Sequence, residues 1–178
     1  LRWKAPRVIF VNSMSDLFHP DVPDAFIRKV LGVIKATPQH TYQILTKRSK
    51  RLSTLGPKLD WPPNAWMGVS IEDDRYTFRA DHLRRCGAEV KFLSCEPLLG
   101  PLPSLTLDGI DWVIVGGESG PGSRPVAPEW VRGIRDGCTT EGVPFFFKQW
   151  GGLTPKSGGR ELDGQLWDEM PVNLASAS

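Results

Sequence analysis

Grouped thiols, long apolar runs and a charge excess are all missing from this chain. The three cysteines, Cys86, Cys95 and Cys138, stand far apart. That excludes a dense disulfide frame and fits reduced thiols in a cytosol-like compartment. The three histidines, His19, His40 and His82, show no metal-ligand spacing with them, so no metal site is predicted. No apolar run approaches the roughly 18 residues of a membrane span, and LRWKAPRVIF at the start has no signal-peptide layout. Lys and Arg number 22 against 20 Asp and Glu, a net charge of +2 that by itself gives no argument for a nucleic-acid partner. The expectation is a cytoplasmic protein with no membrane partner.

What is present is a series of short, β-rich apolar runs. They are RVIFV (7–11), TYQIL (41–45), AWMGVSI (65–71), VKFLS (90–94), DWVIVG (111–116) and VPFFFK (143–148). The runs are nearly continuous, as in strands buried on both faces, and their starts have the spacing of βα units. Helical patterns fall between them at 23–36, 49–55, 74–86 and 128–141. The last begins at Pro128-Glu129 and stops before Gly142. The stretch 97–109, PLLGPLPSLTLDG, has three prolines and no helical pattern, so one crossover is predicted to lack a regular helix. The fold class is therefore α/β with a parallel sheet of about six strands, either a partial (β/α) barrel or an open doubly wound sheet. Residues 1–150 read as a single domain and 151–178 as a glycine-rich polar segment, either a surface hairpin or an extension, closed by Trp167 and with a frayed ASAS end.

Ligands of parallel α/β folds bind outside the carboxyl ends of the strands. Those ends read Asn12-Ser13-Met14-Ser15-Asp16, Thr46-Lys47-Arg48, Ser70-Ile71-Glu72-Asp73, Ser94-Cys95-Glu96-Pro97, Gly116-Gly117-Glu118-Ser119 and Lys148-Gln149-Trp150-Gly151. Four of the six carry a carboxylate. Loops are polar anyway, and Asp16 and Asp73 suit helix caps. Glu96 before Pro97 and Glu118 after Gly-Gly are placed to hold a ribose hydroxyl or an amine. Lys47 and Arg48 either bind phosphate or carboxylate or pair with these acids. Cys95 reads as a nucleophile or as a buried inert thiol, the latter being the commoner state. The loop GGESGPGSRP is not a P-loop, because no lysine follows Gly122, and Pro121 and Pro125 delay the next helix. Its glycines fit close backbone approach to a planar or sugar-like ligand.

The segments VNSMSDLFHPDVP, YQILTKR, WMGVSIED, KFLSCEPLLGPL, DWVIVGGESGPGSRP, VPFFFKQWGG and the tail GRELDGQLWDEMP together resemble an uncharacterised family of bacteriophage and bacterial proteins. Its full-length members look like radical S-adenosylmethionine proteins, which place a three-cysteine loop holding a [4Fe–4S] cluster after the first strand of a partial barrel. The resemblance implies that the strands seen here are the second onward. It assigns cofactor contacts to Asn12, Ser13, Asp16, Ser70, Glu72, Glu96, Gly116, Gly117 and Glu118. The Asn12–Asp16 turn would hold the methionyl amino group, Ser70, Glu72 and Glu96 the ribose, and Gly116, Gly117 and Glu118 the adenine or ribose. Lys47 and Lys148, with Gln149, would face a substrate.

Cys86, Cys95 and Cys138 cannot form such a loop, so a cluster would have to come from an N-terminal segment or a second chain. The chain is expected to be a fragment, a natural short form or half of a split protein, inactive in radical chemistry by itself. Two rival functions follow. One is a phage-encoded module binding a host protein or nucleic acid in the host cytosol. The other is a cluster-free barrel hydrolase, with catalytic candidates among Glu96, Glu118, Asp16, Lys47 and Lys148.

Overall fold

A computed structural model describes residues 3–154 and 157–171. Six strands make the main sheet: β1 (Val8–Val11), β2 (Thr41–Thr46), β3 (Ala65–Ser70), β4 (Lys91–Cys95), β5 (Trp112–Gly116) and β6 (Phe145–Gln149). Helices α1 (Asp24–Lys35), α2 (Ser49–Leu55), α3 (Phe78–Arg84) and α4 (Pro128–Glu141) alternate with them, and a hairpin of β7 (Glu161–Leu162) and β8 (Gln165–Leu166) follows. The main sheet runs in chain order, β1-β2-β3-β4-β5-β6. That is the strand order of a (β/α) barrel, here six strands of it, and not the crossed order of a doubly wound sheet. No helix is assigned between β4 and β5, as the prolines of that crossover predict. The chain divides into two compact units, Leu1–Ser70 with Phe78–Phe92, and Ile71–Thr77 with Leu93–Ser178.

In the first unit β2 pairs in parallel with β1 (Val8 opposite Thr41) and with β3 (Tyr42 opposite Ala65). β3 is buried at every residue, as a continuous apolar run predicts. β1 is not: Val8 and Phe10 are 57% and 45% exposed. Two-sided burial therefore fails at β1. This end strand of the sheet pairs only with β2 among the described residues, and its exposure alternates from residue to residue, so that one face stays open. Helix α1 buries Ile27, Leu31 and Ile34, one helical face, while Phe26 stays exposed. Its end is tied down by Asn64, whose amide donates to the carbonyls of Ile34 (3.1 Å), Thr37 (3.1 Å) and His40 (2.8 Å). Gly68 in β3 lies directly against the ring of buried Phe92, so that a Cβ there would enter the ring.

In the second unit β5 pairs in parallel with β6, with an irregularity at Val115/Gly116 that sets Gly116 opposite Gln149. Helix α4 has the predicted limits. It buries Val131, Ile134 and Cys138 and ends on Gly142, whose φ of 68° closes the helix in the left-handed conformation. The other side of β6 is covered by the returning chain: Phe147 N–H donates to the Trp167 carbonyl (2.9 Å) and Glu169 N–H to that of Phe145 (3.2 Å). Of the two readings of the tail, the hairpin is the one present, turning on Asp163-Gly164 with φ of 56° and 74°, the conformation an Asp-Gly pair favours. Asp163 is held by Arg132 (2.7 Å) and Arg135 (2.6 Å) of α4. The predicted frayed ASAS end lies outside the described residues.

The contact at Gly68 carries a stability prediction. Gly68→Ala should cost on the order of 1–3 kcal/mol by overpacking, read as a lower urea midpoint, whereas Gly133→Ala, whose Cβ meets open space on α4, should leave the midpoint unchanged or raise it.

Candidate functional site

At the carboxyl end of β1 the chain turns through Asn12, whose φ of 58° is in the left-handed region. Asn suits that position better than most residues. Ser15 N–H then donates to the Asn12 carbonyl at 3.1 Å. Met14 stands 96% exposed at the tip. Asp16 does not cap a helix. Its carboxylate accepts from Phe18 N–H (2.9 Å), from the Thr46 hydroxyl (2.7 and 2.9 Å) and from Lys47 N–H (3.1 Å). It therefore ties the loop after β1 to the end of β2. A cleft of about 300 Å³ lies here, lined by Asn12, Ser13, Ser15, Asp16, Thr46 and Lys47. Ser70, at the end of β3, is buried, and its carbonyl accepts from the Arg79 guanidinium at 2.7 Å.

The second unit has its own strand-end cluster. Glu96 follows β4 through a cis peptide to Pro97, and Leu98 N–H donates to the Gly116 carbonyl at 2.9 Å. That bond lays the Glu96 side chain across the end of β5. The Ser94 hydroxyl donates to Glu96 Oε2 (3.2 Å), and Lys148 Nζ lies 3.1 Å from Oε1. A Cβ on Gly116 would come within 2.6 Å of Oε1, so only glycine leaves room for this carboxylate. Glu72 is buried, and its carbonyl accepts from Leu99 N–H at 2.7 Å.

The glycine loop closes on itself. A Cβ on Gly117 would collide with the Trp150 carbonyl, and one on Gly151 with the Glu118 carbonyl. Gly117 N–H donates to Gln149 (2.8 Å), Gly152 N–H to Glu118 (2.9 Å) and Gly120 N–H to Gly152 (2.9 Å). The Gln149 amide donates to the Ser119 hydroxyl at 2.7 Å. Arg124 clamps Glu118 through its backbone N–H (3.0 Å), Nε (2.8 Å) and Nη2 (2.9 Å). These hydrogen bonds to the ionised form hold the Glu118 carboxyl down at about 2. The close approach that glycine permits is thus made by the protein's own backbone and by Glu96.

The structure gathers Asn12, Ser13, Asp16 and Lys47 around one cleft, and Glu96, Gly116 and Lys148 into one cluster. Glu118 pairs with Arg124 in the neighbouring loop. Two residues that matter to these loops are absent from the sequence-based candidates. Arg124 is one. The other is Arg51, whose guanidinium donates to the carbonyls of His19 and Val22 and to Asp24, strapping the segment before α1. In the sequence Arg51 sits in the basic run KRSKR, which reads as a solvated helix start.

The thiols serve the core. Cys95 and Cys138 are buried in the second unit and Cys86 in the first. Burial raises the Cys95 thiol, with Cys138, Glu96 and Glu72 adding to the effect, and pushes Cys138 up to about 12. The three thiols do not form the group of closely set thiolates that an iron–sulfur cluster needs. Among the described residues no group of three or more His, Cys, Asp or Glu side chains could hold a metal ion, and no helix is long and apolar enough to cross a membrane.

These features define an α/β protein with a parallel sheet in barrel order and polar groups concentrated at the strand carboxyl ends. The chain belongs to the family described as "Protein of unknown function (DUF5131)", whose model matches residues 1–171. No curated protein and no solved structure matches it.

Two outcomes test this geometry. The Glu118 carboxyl, followed by carbon-13 NMR, should titrate at about 2, and Arg124→Ala should return it toward ~4.3. Because the folded value is depressed, the loop's ionic contribution is present above the ordinary carboxylate range and is lost as pH falls toward that lower value. Secondly, an aromatic disulfide reagent at pH 8 should leave the buried thiols of the folded chain unreacted and titrate all of them in denaturant.

Proposed function

We propose that this chain is a domain of an S-adenosylmethionine-dependent enzyme and that its Glu96 cluster binds the nucleoside part of that molecule. The observation that carries the reading is the Glu96 carboxylate, laid over the bare backbone of Gly116 and anchored from one side by Ser94. A carboxylate at a strand end accepts the paired hydroxyls of a ribose. Lys148 is the exchangeable partner: its side chain is 56% exposed against 21% for Glu96. Ion pairs of this kind contribute only ~0–1 kcal/mol, so a ligand hydroxyl can replace the lysine at small cost. The released ammonium then suits the ligand's carboxylate. In the other unit, the cleft of Asn12, Ser13 and Lys47 offers a hydroxyl, an amide and an amine, a set suited to a small polar ligand.

The resemblance to radical S-adenosylmethionine proteins supports this reading. A [4Fe–4S] cluster, when bound, supplies the electron for reductive cleavage. The thiols of this chain do not fit one, so we assign the cluster to a further segment or chain, and this chain's part is binding and orientation. The hydrolase reading is weaker at Glu118, because Arg124 engages both of its oxygens and the low pKa disfavours proton uptake there.

Calorimetry should register saturable binding of S-adenosylmethionine, and of adenosine alone, at concentrations up to ~1 mM. Gly116→Ala, whose methyl group displaces the Glu96 carboxylate, should abolish it. Lys148→Ala should keep adenosine and weaken S-adenosylmethionine. An absence of heat with both ligands overturns the proposal.

A further inference from the structure

A second recessed surface lies within the second unit, between the proline-rich crossover before β5 and helix α4. It encloses about 360 Å³, at the lower end of the ~300–1,000 Å³ range of ligand pockets. One wall is Pro101, Pro103, Leu105 and Leu107, and prolines make such a wall stiff. The other is the α4 face carrying Trp130, Gly133 and Gly137. The two glycines are one helical turn apart. A Cβ on Gly133 would meet nothing within 4 Å, and one on Gly137 would only just reach Leu107 Cδ1 at 4.0 Å. The helix backbone is thus bared to the groove where side chains would otherwise fill it. Glycine also costs an α-helix interior ~1 kcal/mol relative to alanine, and nothing inside the fold requires it at Gly133.

The two charged residues that line the groove are both acidic. Glu129 and Glu141 line it at opposite ends of α4, both exposed. The crossover from Pro97 to Asp111 contains Asp108 and Asp111 and no Lys or Arg. The cations of α4 are turned elsewhere: Arg132 and Arg135 are bound by Asp163 of the hairpin, and Arg135 also by Asp136. An apolar trough with acidic ends and a bare helix backbone is complementary to an apolar helix face flanked by cations.

We propose that this groove docks a cationic amphipathic helix of another protein, its aliphatic side chains entering between the prolines and α4 and its Lys or Arg residues meeting Glu129 and Glu141. The inference is independent of the nucleoside reading, since it uses none of the same residues. The acidic rim disfavours a nucleic acid.

The probe is a fluorescein-labelled 18-residue peptide of leucine and lysine, with the leucines on one helical face, followed by anisotropy at physiological salt. Saturable binding is expected in the micromolar range. A scrambled peptide of the same composition, and a leucine–glutamate peptide of the same pattern, should bind at least ~10-fold more weakly. Glu129→Gln with Glu141→Gln should weaken binding about 10-fold, as two partly screened ion pairs allow. Gly133→Leu fills the groove and raises helix propensity, so it should abolish binding while leaving the melting temperature unchanged or higher. No binding, equal binding of the scrambled peptide, or undiminished binding by folded Gly133→Leu each overturns the proposal.

Discussion

Beyond the ends of β5 and β6, main chain packs directly on main chain, and the arrangement of the second unit's strand ends depends on it. Gly117 faces the Trp150 carbonyl and Gly151 faces the Glu118 carbonyl, with no space for a side chain at either. The hydrogen bonds from Gly117 to Gln149 and from Gly152 to Glu118 extend the pairing of the two strands past their assigned ends. Two consecutive segments are thereby held as one rigid rim. Glu118, Ser119 and Gln149 take their positions from it, and so does Gly116, over which Glu96 lies.

Two strand-end carboxylates show how hydrogen-bond saturation separates a structural group from an available one. Asp16 accepts from two backbone N–H groups and, through both oxygens, from the Thr46 hydroxyl. With those lone pairs engaged, its work is to join two loops. Glu96 receives one hydroxyl and one exposed ammonium. With a single hydroxyl on one oxygen and a solvent-exposed lysine on the other, it keeps acceptor capacity for an incoming molecule. Glu118 belongs with Asp16, since Arg124 meets both of its oxygens.

The sequence was most legible where local chemistry acts alone. Pro128 and Gly142 delimit α4 because one suits a first helical turn and the other a left-handed close. Asp163-Gly164 marks the hairpin for the same kind of reason. The strand ends could be read because apolar runs stop abruptly at small polar residues. Legibility failed where distant segments decide. The open face of β1, an end strand of the sheet, is not encoded in a five-residue apolar run. The pairing of Glu118 with Arg124 follows from how a loop with two prolines folds back. Gly116 and Gly117 were readable as places of close approach, but what approaches them is Glu96 and the Trp150 carbonyl.

The cover on the last strand also has a consequence in time. Chains leave the ribosome from their N-terminal end, and β6 is complete at Gln149. Its outer hydrogen bonds, from Phe147 to Trp167 and from Glu169 to Phe145, exist only once some twenty further residues have emerged. Until then a nascent edge rich in phenylalanine, FFFKQ, is open to pairing with any other extended segment. The short polar tail is therefore a delayed cover for that edge.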